Sequence, residues 1–164
     1  MEYKIRPLRE DEIPLLRTFL YEAVYQKDEG HTLPPEIVDT PEIKVYIEGF
    51  GEKEDDRCLV AECGGRVIGA VWTRILSGPI KGYGNVDDKT PEFAVSLYKD
   101  YRGRGIGTQL MEQMLFLLRG CGYARVSLSV QKENYAVGMY RKVGFSVIAE
   151  NEKDYIMTCV LNIL

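Results

Sequence analysis

The chain has 164 residues, a length that suits one domain with a single sizeable core. Apolar residues make up 45% of the chain and charged residues 28%, which is typical of a soluble globular protein. The net charge of −4 argues against a duplex nucleic acid partner, which usually needs a basic face, and is compatible with a cationic acceptor.

The sequence gives no support for a membrane or a metal partner. No apolar run approaches the roughly 20 residues that cross a bilayer, and Met1–Arg6 lacks the apolar core of a signal peptide. We therefore expect a cytoplasmic protein. The four cysteines form no C-x-x-C pair and His31 is the only histidine, so we predict no metal site and interpret the cysteines as reduced, buried thiols.

The first part of the chain predicts one strand and two helices. Alternation of apolar and polar residues over Tyr3–Arg6 predicts a short strand. Asp11 is a suitable N-cap for an amphipathic helix that extends to about Tyr25. Residues 28–41 are typical of a loop, and a second helix is predicted over Glu42–Phe50.

A hairpin, a long loop and a further strand follow. The apolar runs Cys58–Cys63 and Val67–Thr73 are joined by Gly64–Gly65, a link that strongly indicates a hairpin. Residues 77–91 form a long loop of a kind that is often functional. The next strand is predicted over residues 92–98, with Phe93, Val95 and Leu97 on one face and Glu92, Ala94, Ser96 and Tyr98 on the other.

The run Arg-Gly-Arg-Gly-Ile-Gly-Thr over residues 102–108 joins that strand to an amphipathic helix. Glycine lacks Cβ, so a ligand can approach its backbone, and a helix start offers unpaired N–H groups at the positive end of the helix dipole. The run therefore predicts a phosphate site, made of Arg102, Gly103, Arg104, Gly105, Ile106, Gly107 and Thr108. The helix is predicted to bury Ile106, Leu110, Met114, Leu117, Leu118 and Cys121.

Two other phosphate loops fit this run poorly. A dinucleotide-binding loop needs G-x-G-x-x-G early in a βαβ unit, with an acidic residue about 20 positions later. Here the glycines alternate after the fourth strand, and Arg125–Val130 has no acidic residue. A Walker loop needs Gly-Lys followed by Ser or Thr, which is absent.

The last part of the chain completes a mixed sheet. Arg125–Val130 alternates as a strand, a short helix begins near Tyr135 and stops at Gly144, and two strands are predicted over Phe145–Ile148 and Tyr155–Leu161. The predicted order is β-α-α-β-β-β-α-β-α-β-β, which indicates a mixed sheet with helices on its faces. No linker or repeat interrupts the chain, so we expect a single domain over residues 1–164.

Two motifs in this order resemble those of the GNAT superfamily of N-acetyltransferases. The first is Arg102-x-x-Gly105-x-Gly107, and the second is A-x-x-x-Y-x-K-x-G-F from Ala136 to Phe145. The resemblance implies an acyl-coenzyme A N-acyltransferase fold, with a twisted and mostly antiparallel mixed sheet of about seven strands and helices on both faces. It also implies acetyl-CoA as the donor, whose pyrophosphate would meet the glycine-rich run.

The resemblance assigns roles to further residues. In the family the pantetheine arm pairs with the strand before the glycine loop, which implies Leu97, Tyr98 and Lys99 here, and the N–H of Leu97 would stabilise the oxyanion. Tyr140 matches the family tyrosine, whose role is general acid towards the departing thiolate. Ala136 and Asn134 fall where the second motif would contact the cofactor.

Glu92 and Asn134 each keep a competing interpretation. Glu92 is the candidate general base for an ammonium acceptor, and the competing interpretation is a solvated residue after Pro91. Asn134 lies six residues before Tyr140 instead of the commoner seven. It therefore contacts the cofactor or only caps the following helix.

The sequence says less about the acceptor amine than about the donor. We expect its site in residues 25–50 and 77–91, where five side chains are candidates, each also explained by packing: Tyr21, Tyr25, His31, Trp72 and Tyr83. We predict acetyl transfer to an amine by direct attack, and the alternative is an acyl-CoA-binding sensor without turnover. The apolar last strand favours a homodimer, and the negative charge disfavours a toxin that acetylates charged tRNA.

Overall fold

The computed structural model describes residues 1–24 and 33–161, which form one seven-stranded sheet in the order β1-β2-β3-β4-β5-β7-β6. The strands are β1 Lys4–Pro7, β2 Arg57–Cys63, β3 Arg66–Arg74, β4 Glu92–Leu97, β5 Arg125–Gln131, β6 Ser146–Glu150 and β7 Asp154–Val160. Neighbouring strands are antiparallel except for the parallel pair β4 and β5. The predicted mixed, mostly antiparallel sheet is confirmed.

Helices cover both faces of the sheet, as predicted. Within the described residues the α-helices are α1 Leu15–Ala23, α2 Pro41–Lys44, α3 Ile106–Gly120 and α4 Ala136–Val143. One core lies between the sheet and α1 with the segment after α2, and includes Phe19 and Trp72. The other core lies under α3 and α4, and includes Leu110 and Met157. The same sheet therefore forms one side of both cores. The single domain stays a prediction.

The two helices predicted in the first part of the chain are shorter in the structure. Asp11 caps no helix, because Glu10–Glu12 forms a separate 3₁₀ turn and α1 begins only at Leu15. Arg6 holds the Glu12 carboxylate with two hydrogen bonds of 2.8 Å, which fixes that turn against β1. The helix predicted over 42–50 is reduced to the four residues of α2, followed by turns.

The buried face of α3 also differs in part from the prediction. Leu117 and Cys121 are exposed, whereas Met111 and Leu115 are fully buried. The buried residues of α3 are Ile106, Gly107, Leu110, Met111, Met114, Leu115 and Leu118. This stripe is wider than predicted, and it lacks Leu117 although that residue shares its side of the helix with Ile106 and Leu110. All four cysteines are free, but only Cys58 and Cys159 are buried.

The apolar last strand has an explanation within the chain. β7 lies between β5 and β6, and it pairs with both along its length. Met157 and Cys159 pack in the core under α3 and α4, whereas Val160 is 54% exposed. The interior position of the strand explains part of its apolar character, and the homodimer stays a prediction.

No helix in the described ranges is both long and apolar enough to cross a bilayer. The predicted cytoplasmic location is not tested by this observation, and it stays a prediction.

A buried ion pair joins β3 to the segments before β2. Arg74 donates to Asp56 through Nε at 3.0 Å and Nη2 at 3.1 Å, and the two side chains are 5% and 0% exposed. Arg74 Nη1 also donates to the carbonyls of Val45 (3.0 Å) and Glu48 (2.8 Å). This one guanidinium therefore fixes the turns that follow α2.

We expect Arg74→Met to lower the free energy of unfolding by about 3–5 kcal/mol, because Asp56 would remain buried without its counter-charge. Urea unfolding followed by circular dichroism measures the loss. The matched control is Arg17→Met, which removes an ion pair to Asp39 whose side chains are half-exposed, and it should change stability little. Equal effects of the two substitutions would contradict the structural role of Arg74.

Candidate active site

A cleft opens where β4 and β5 part. The two strands share one bridge, Glu92 with Ser127, and the Ser127 N–H donates to the Pro91 carbonyl at 3.0 Å. Beyond this bridge, no other residues of β4 and β5 are paired in the sheet. The resulting cleft has a volume of about 380 Å³ and includes Glu92 and Tyr140 in its walls.

The backbone of β4 turns unpaired groups towards this cleft. The Tyr98 N–H donates to the Ile68 carbonyl at 3.0 Å, so residue 98 faces β3, whereas Pro91 faces β5. Successive residues of a strand turn their N–H groups to opposite edges. The N–H groups of Val95 and Leu97 therefore point to the open edge of β4, the edge at which the sequence predicts donor binding.

The glycine-rich run lies at the same end of the sheet and is open to solvent. Gly103 and Gly105 have φ of +75° and +83°, a left-handed conformation that disfavours any residue with Cβ. A Cβ added at either position would meet no atom within 4 Å. Gly105 immediately precedes α3, so the N–H groups of the first turn lie beside an uncovered backbone. This arrangement fits an incoming pyrophosphate.

The two arginines of the run differ in their contacts. Arg102 Nε donates to the Leu97 carbonyl at 3.1 Å, and its Nη2 lies 3.2 Å from the Glu22 carboxylate. It therefore ties the run to β4 and α1. Arg104 is exposed, and its nearest polar contact is the Met1 sulfur at 3.9 Å.

The remaining predicted donor-binding residues surround this end of the sheet. Tyr98 packs on Phe19 and under the Arg66 guanidinium, so its ring belongs to the core. Lys99 begins a 3₁₀ turn, and Thr108 is half-buried in the first turn of α3. The other predicted donor-binding residues are buried, namely Leu97, Ile106, Gly107 and Ala136.

Glu92 is a buried carboxyl group at the base of the cleft, only 3% exposed. Its Oε2 accepts hydrogen bonds from the Tyr46 hydroxyl and from the Gly84 N–H (3.1 Å), while Oε1 has no partner among the described residues. Burial raises the pKa of Glu92 to about 7, against the opposing effect of the two hydrogen bonds. The interpretation of Glu92 as a solvated residue is wrong, because β4 begins inside the molecule.

Tyr46 is a site residue that sequence reasoning missed. It belongs to the turns after α2 and lines the cleft. Burial and the neighbouring Glu92 raise the pKa of the Tyr46 phenol well above its usual value, so the hydroxyl stays a donor. The sequence carried no signal for it beyond a tyrosine in a segment predicted as helix.

Tyr140 extends from α4 into the cleft wall. Its ring packs edge-on against Phe145 with centroids 6.0 Å apart, and its hydroxyl has no hydrogen-bond partner among the described residues. Burial raises the pKa of Tyr140 to about 12. The phenol is therefore protonated at neutral pH and is able to donate.

Asn134 caps α4 and lines the cleft at the same time. Its Oδ1 accepts the Ala136 N–H at 2.8 Å. The capping interpretation is thus confirmed, and contact with the cofactor stays a prediction.

The acceptor candidates fall into three groups. Tyr83 lines the cleft and is 57% exposed. Trp72 is 1% exposed in the core, and the Tyr21 hydroxyl donates to the Leu33 carbonyl, so both are packing residues in this structure. Tyr25 and His31 lie outside the described residues.

A larger cleft of about 580 Å³ lies away from this site, beside the start of β2. It contains none of the predicted site residues. The predicted residues Glu92, Asn134 and Tyr140 instead line the smaller cleft between β4 and β5.

Comparison with known proteins identifies the family of this chain. The model of the acetyltransferase (GNAT) family matches residues 20–145. YobR, an uncharacterized N-acetyltransferase of Bacillus subtilis (strain 168), is 36% identical over 73 residues, which are 44% of this chain and 27% of that protein. The chain spans between 26% and 66% of the length of the curated relatives that it matches.

Two solved structures share the fold at low sequence identity. PaiA N-acetyltransferase of Thermoplasma acidophilum, in complex with coenzyme A, has a TM-score of 0.67 at 18% identity, covering 98% of this chain and 99% of that one. YncA of Salmonella typhimurium, with its cofactor acetyl-CoA, has a TM-score of 0.69 at 16% identity, covering 100% and 96%. The family match extends from α1 to the end of the second motif and so includes every element of the cleft except β7. The chain belongs to the acetyltransferase (GNAT) family.

Proposed function

We propose that the protein transfers an acetyl group from acetyl-CoA to an amine by direct attack within a ternary complex. The observation that carries this proposal is the parting of β4 and β5 beside the open start of α3. The open edge of β4 offers unpaired N–H groups to an extended chain that carries amides. The start of α3 offers N–H groups to a pyrophosphate. Coenzyme A carries both chemical groups on one molecule.

The residues at this site fit the donor. Gly103 and Gly105 leave their backbone uncovered, and the N–H groups at the start of α3 would hold the pyrophosphate. The Leu97 N–H would donate to the oxygen that gains negative charge during transfer. PaiA is in complex with coenzyme A and YncA with acetyl-CoA, which supports the same donor here.

Acetyl-CoA supplies the activated thioester. Glu92 takes one proton from the acceptor ammonium, directly or through water, which frees the nitrogen lone pair for attack on the acetyl carbon. After attack the nitrogen is again positively charged and loses its second proton. Tyr140 donates its proton to the departing thiolate as the carbon–sulfur bond breaks, and the second proton of the nitrogen, relayed by water, restores the phenol. The products are the amide, free coenzyme A and protonated Glu92. No covalent enzyme intermediate is required, because no nucleophile motif is present in the sequence.

A screen of amines against purified protein, followed by release of free thiol from acetyl-CoA, tests this function and identifies the acceptor. Thiol release that requires an amine is the expected result. Tight binding of acetyl-CoA without release for every amine would contradict the transferase and favour an acyl-CoA-binding sensor.

We expect Gly105→Glu to weaken coenzyme A binding by at least about tenfold, because it places a negative charge at the phosphate site. Isothermal titration calorimetry measures the affinity. The control is Gly122→Glu at the other end of α3, where φ is +88° and a Cβ also meets no atom within 4 Å. The control carries the same strain and charge, so equal affinity losses would place the pyrophosphate elsewhere.

We expect Tyr140→Phe to lower kcat by about 100-fold, the scale of one general acid, with the Kd of acetyl-CoA nearly unchanged. Steady-state thiol release and calorimetry measure the two quantities. Tyr135→Phe is the matched control, because Tyr135 is 75% exposed at the start of α4. Full activity of Tyr140→Phe would remove this phenol from the acid role.

We expect Glu92→Gln to make the protein more stable than the unsubstituted form above about pH 7. The folded protein keeps Glu92 protonated up to about pH 7, whereas the unfolded chain loses this proton near pH 4.5. The stabilisation from Glu92 is therefore full below pH 4.5 and lost as pH rises to 7, on the order of 3 kcal/mol. Urea unfolding from pH 4.5 to 8 measures the difference, and parallel pH profiles for the two proteins would show that Glu92 titrates normally.

A further inference from the structure

The two oxygens of Glu92 have different surroundings. Oε2 accepts two hydrogen bonds, from the Tyr46 hydroxyl and the Gly84 N–H, whereas buried Oε1 accepts none from residues 1–24 and 33–161. The Tyr46 hydroxyl in turn accepts the Tyr83 N–H at 2.9 Å, so its own proton is directed to Glu92. A proton added to the carboxyl group therefore belongs on Oε1.

Tyr46 is held in place by β3, although it lies outside regular secondary structure. The Trp72 Nε1 donates to the Tyr46 carbonyl at 3.1 Å. Arg74 donates to the carbonyls on either side, at Val45 and Glu48. Three tethers over four residues fix the backbone, so the direction of the phenol is set by the core of the protein.

We propose that Tyr46 is a positioning residue, which holds Oε2 of Glu92 as a hydrogen-bond acceptor and so makes Oε1 the oxygen that carries the proton when the carboxyl group is protonated. This inference rests on the proposed function, in which Glu92 is the base. It adds a residue from the turns after α2, a segment that neither motif includes. Tyr46 touches the base and need not touch the reacting atoms.

Other polar and charged groups near Glu92 do not replace this contact. Arg74 is the cross-strand neighbour of Glu92, but its guanidinium binds Asp56 and the carbonyls after α2. Ser127 on β5 is buried, and its hydroxyl has no partner in the part of the chain that the structure describes. Three further titratable side chains line the cleft, which are Tyr83, Tyr140 and Asp154. The α1 residues in the cleft wall are apolar, namely Leu20, Ala23 and Val24.

The proposal predicts the direction of a titration. The phenol donates to the carboxylate and so stabilises the charged form of Glu92. Loss of this donor in Tyr46→Phe should raise the pKa of Glu92 by about one unit, because one hydrogen bond to a charged group is worth about 1.5 kcal/mol. Replacement of Tyr46 by 3-fluorotyrosine, a stronger donor, should lower it.

The experiment titrates the ¹³C-labelled Glu92 carboxyl group by NMR in the full chain, with the signal assigned by its loss in Glu92→Gln. Tyr83→Phe is the matched control, because it removes a phenol from the same cleft but keeps the backbone N–H that binds Tyr46. The expected order of midpoints is Tyr46→Phe highest, then the unsubstituted protein and Tyr83→Phe together, then the fluorotyrosine protein.

A midpoint that is the same in Tyr46→Phe and the unsubstituted protein would overturn the proposal. Circular dichroism and thermal unfolding confirm that each variant is folded, and the fluorotyrosine protein keeps every native contact. Thiol release is followed separately, with the amine that gives the fastest release in the screen. Absence of release with every amine would contradict the proposed function, and the titration would still decide the role of Tyr46.

Discussion

The parting of β4 and β5 is the constraint on which the site depends. Parallel neighbours normally continue their hydrogen bonds along both strands, but here a single bridge at Glu92 and Ser127 holds them together. The opening exposes strand N–H groups in the middle of a sheet, where they would otherwise be paired. It also brings the side chain of Tyr140 and the carboxyl group of Glu92 to one cleft, while the start of α3 lies beside Leu97 at the end of β4.

The position of Arg74 determines the chemistry of Glu92. The two residues are cross-strand neighbours, and an ion pair between them would keep the carboxyl group charged and strongly acidic. The guanidinium instead binds Asp56, and the donors to Glu92 among the described residues are two neutral groups, the Tyr46 hydroxyl and the Gly84 N–H. The same arginine fixes the turns that hold Tyr46. One buried ion pair therefore both withholds a positive charge from Glu92 and positions its hydrogen-bond donor Tyr46.

The long loop over residues 77–91 forms a wall of the site through close packing. A Cβ on Gly84 would lie 2.6 Å from the carbonyl carbon of Leu128, so only glycine allows this approach to β5. A Cβ on Gly82 would lie 2.0 Å from Glu92 Oε1. The loop thus covers Glu92 from one side while its N–H groups at Tyr83 and Gly84 hold Tyr46 and the carboxylate.

The sequence by itself determined the element order, the hairpin at Gly64–Gly65, the glycine-rich start of α3 and the family. These features are local, because they depend on periodicity, on glycine and on motifs read along the chain. Only the tertiary structure decided that Glu92 is buried, that Tyr46 binds it and that Arg74 turns away to Asp56. Those contacts join residues that lie 18 to 46 positions apart, and the partner of a buried charge depends on which side chains the folded sheet brings together.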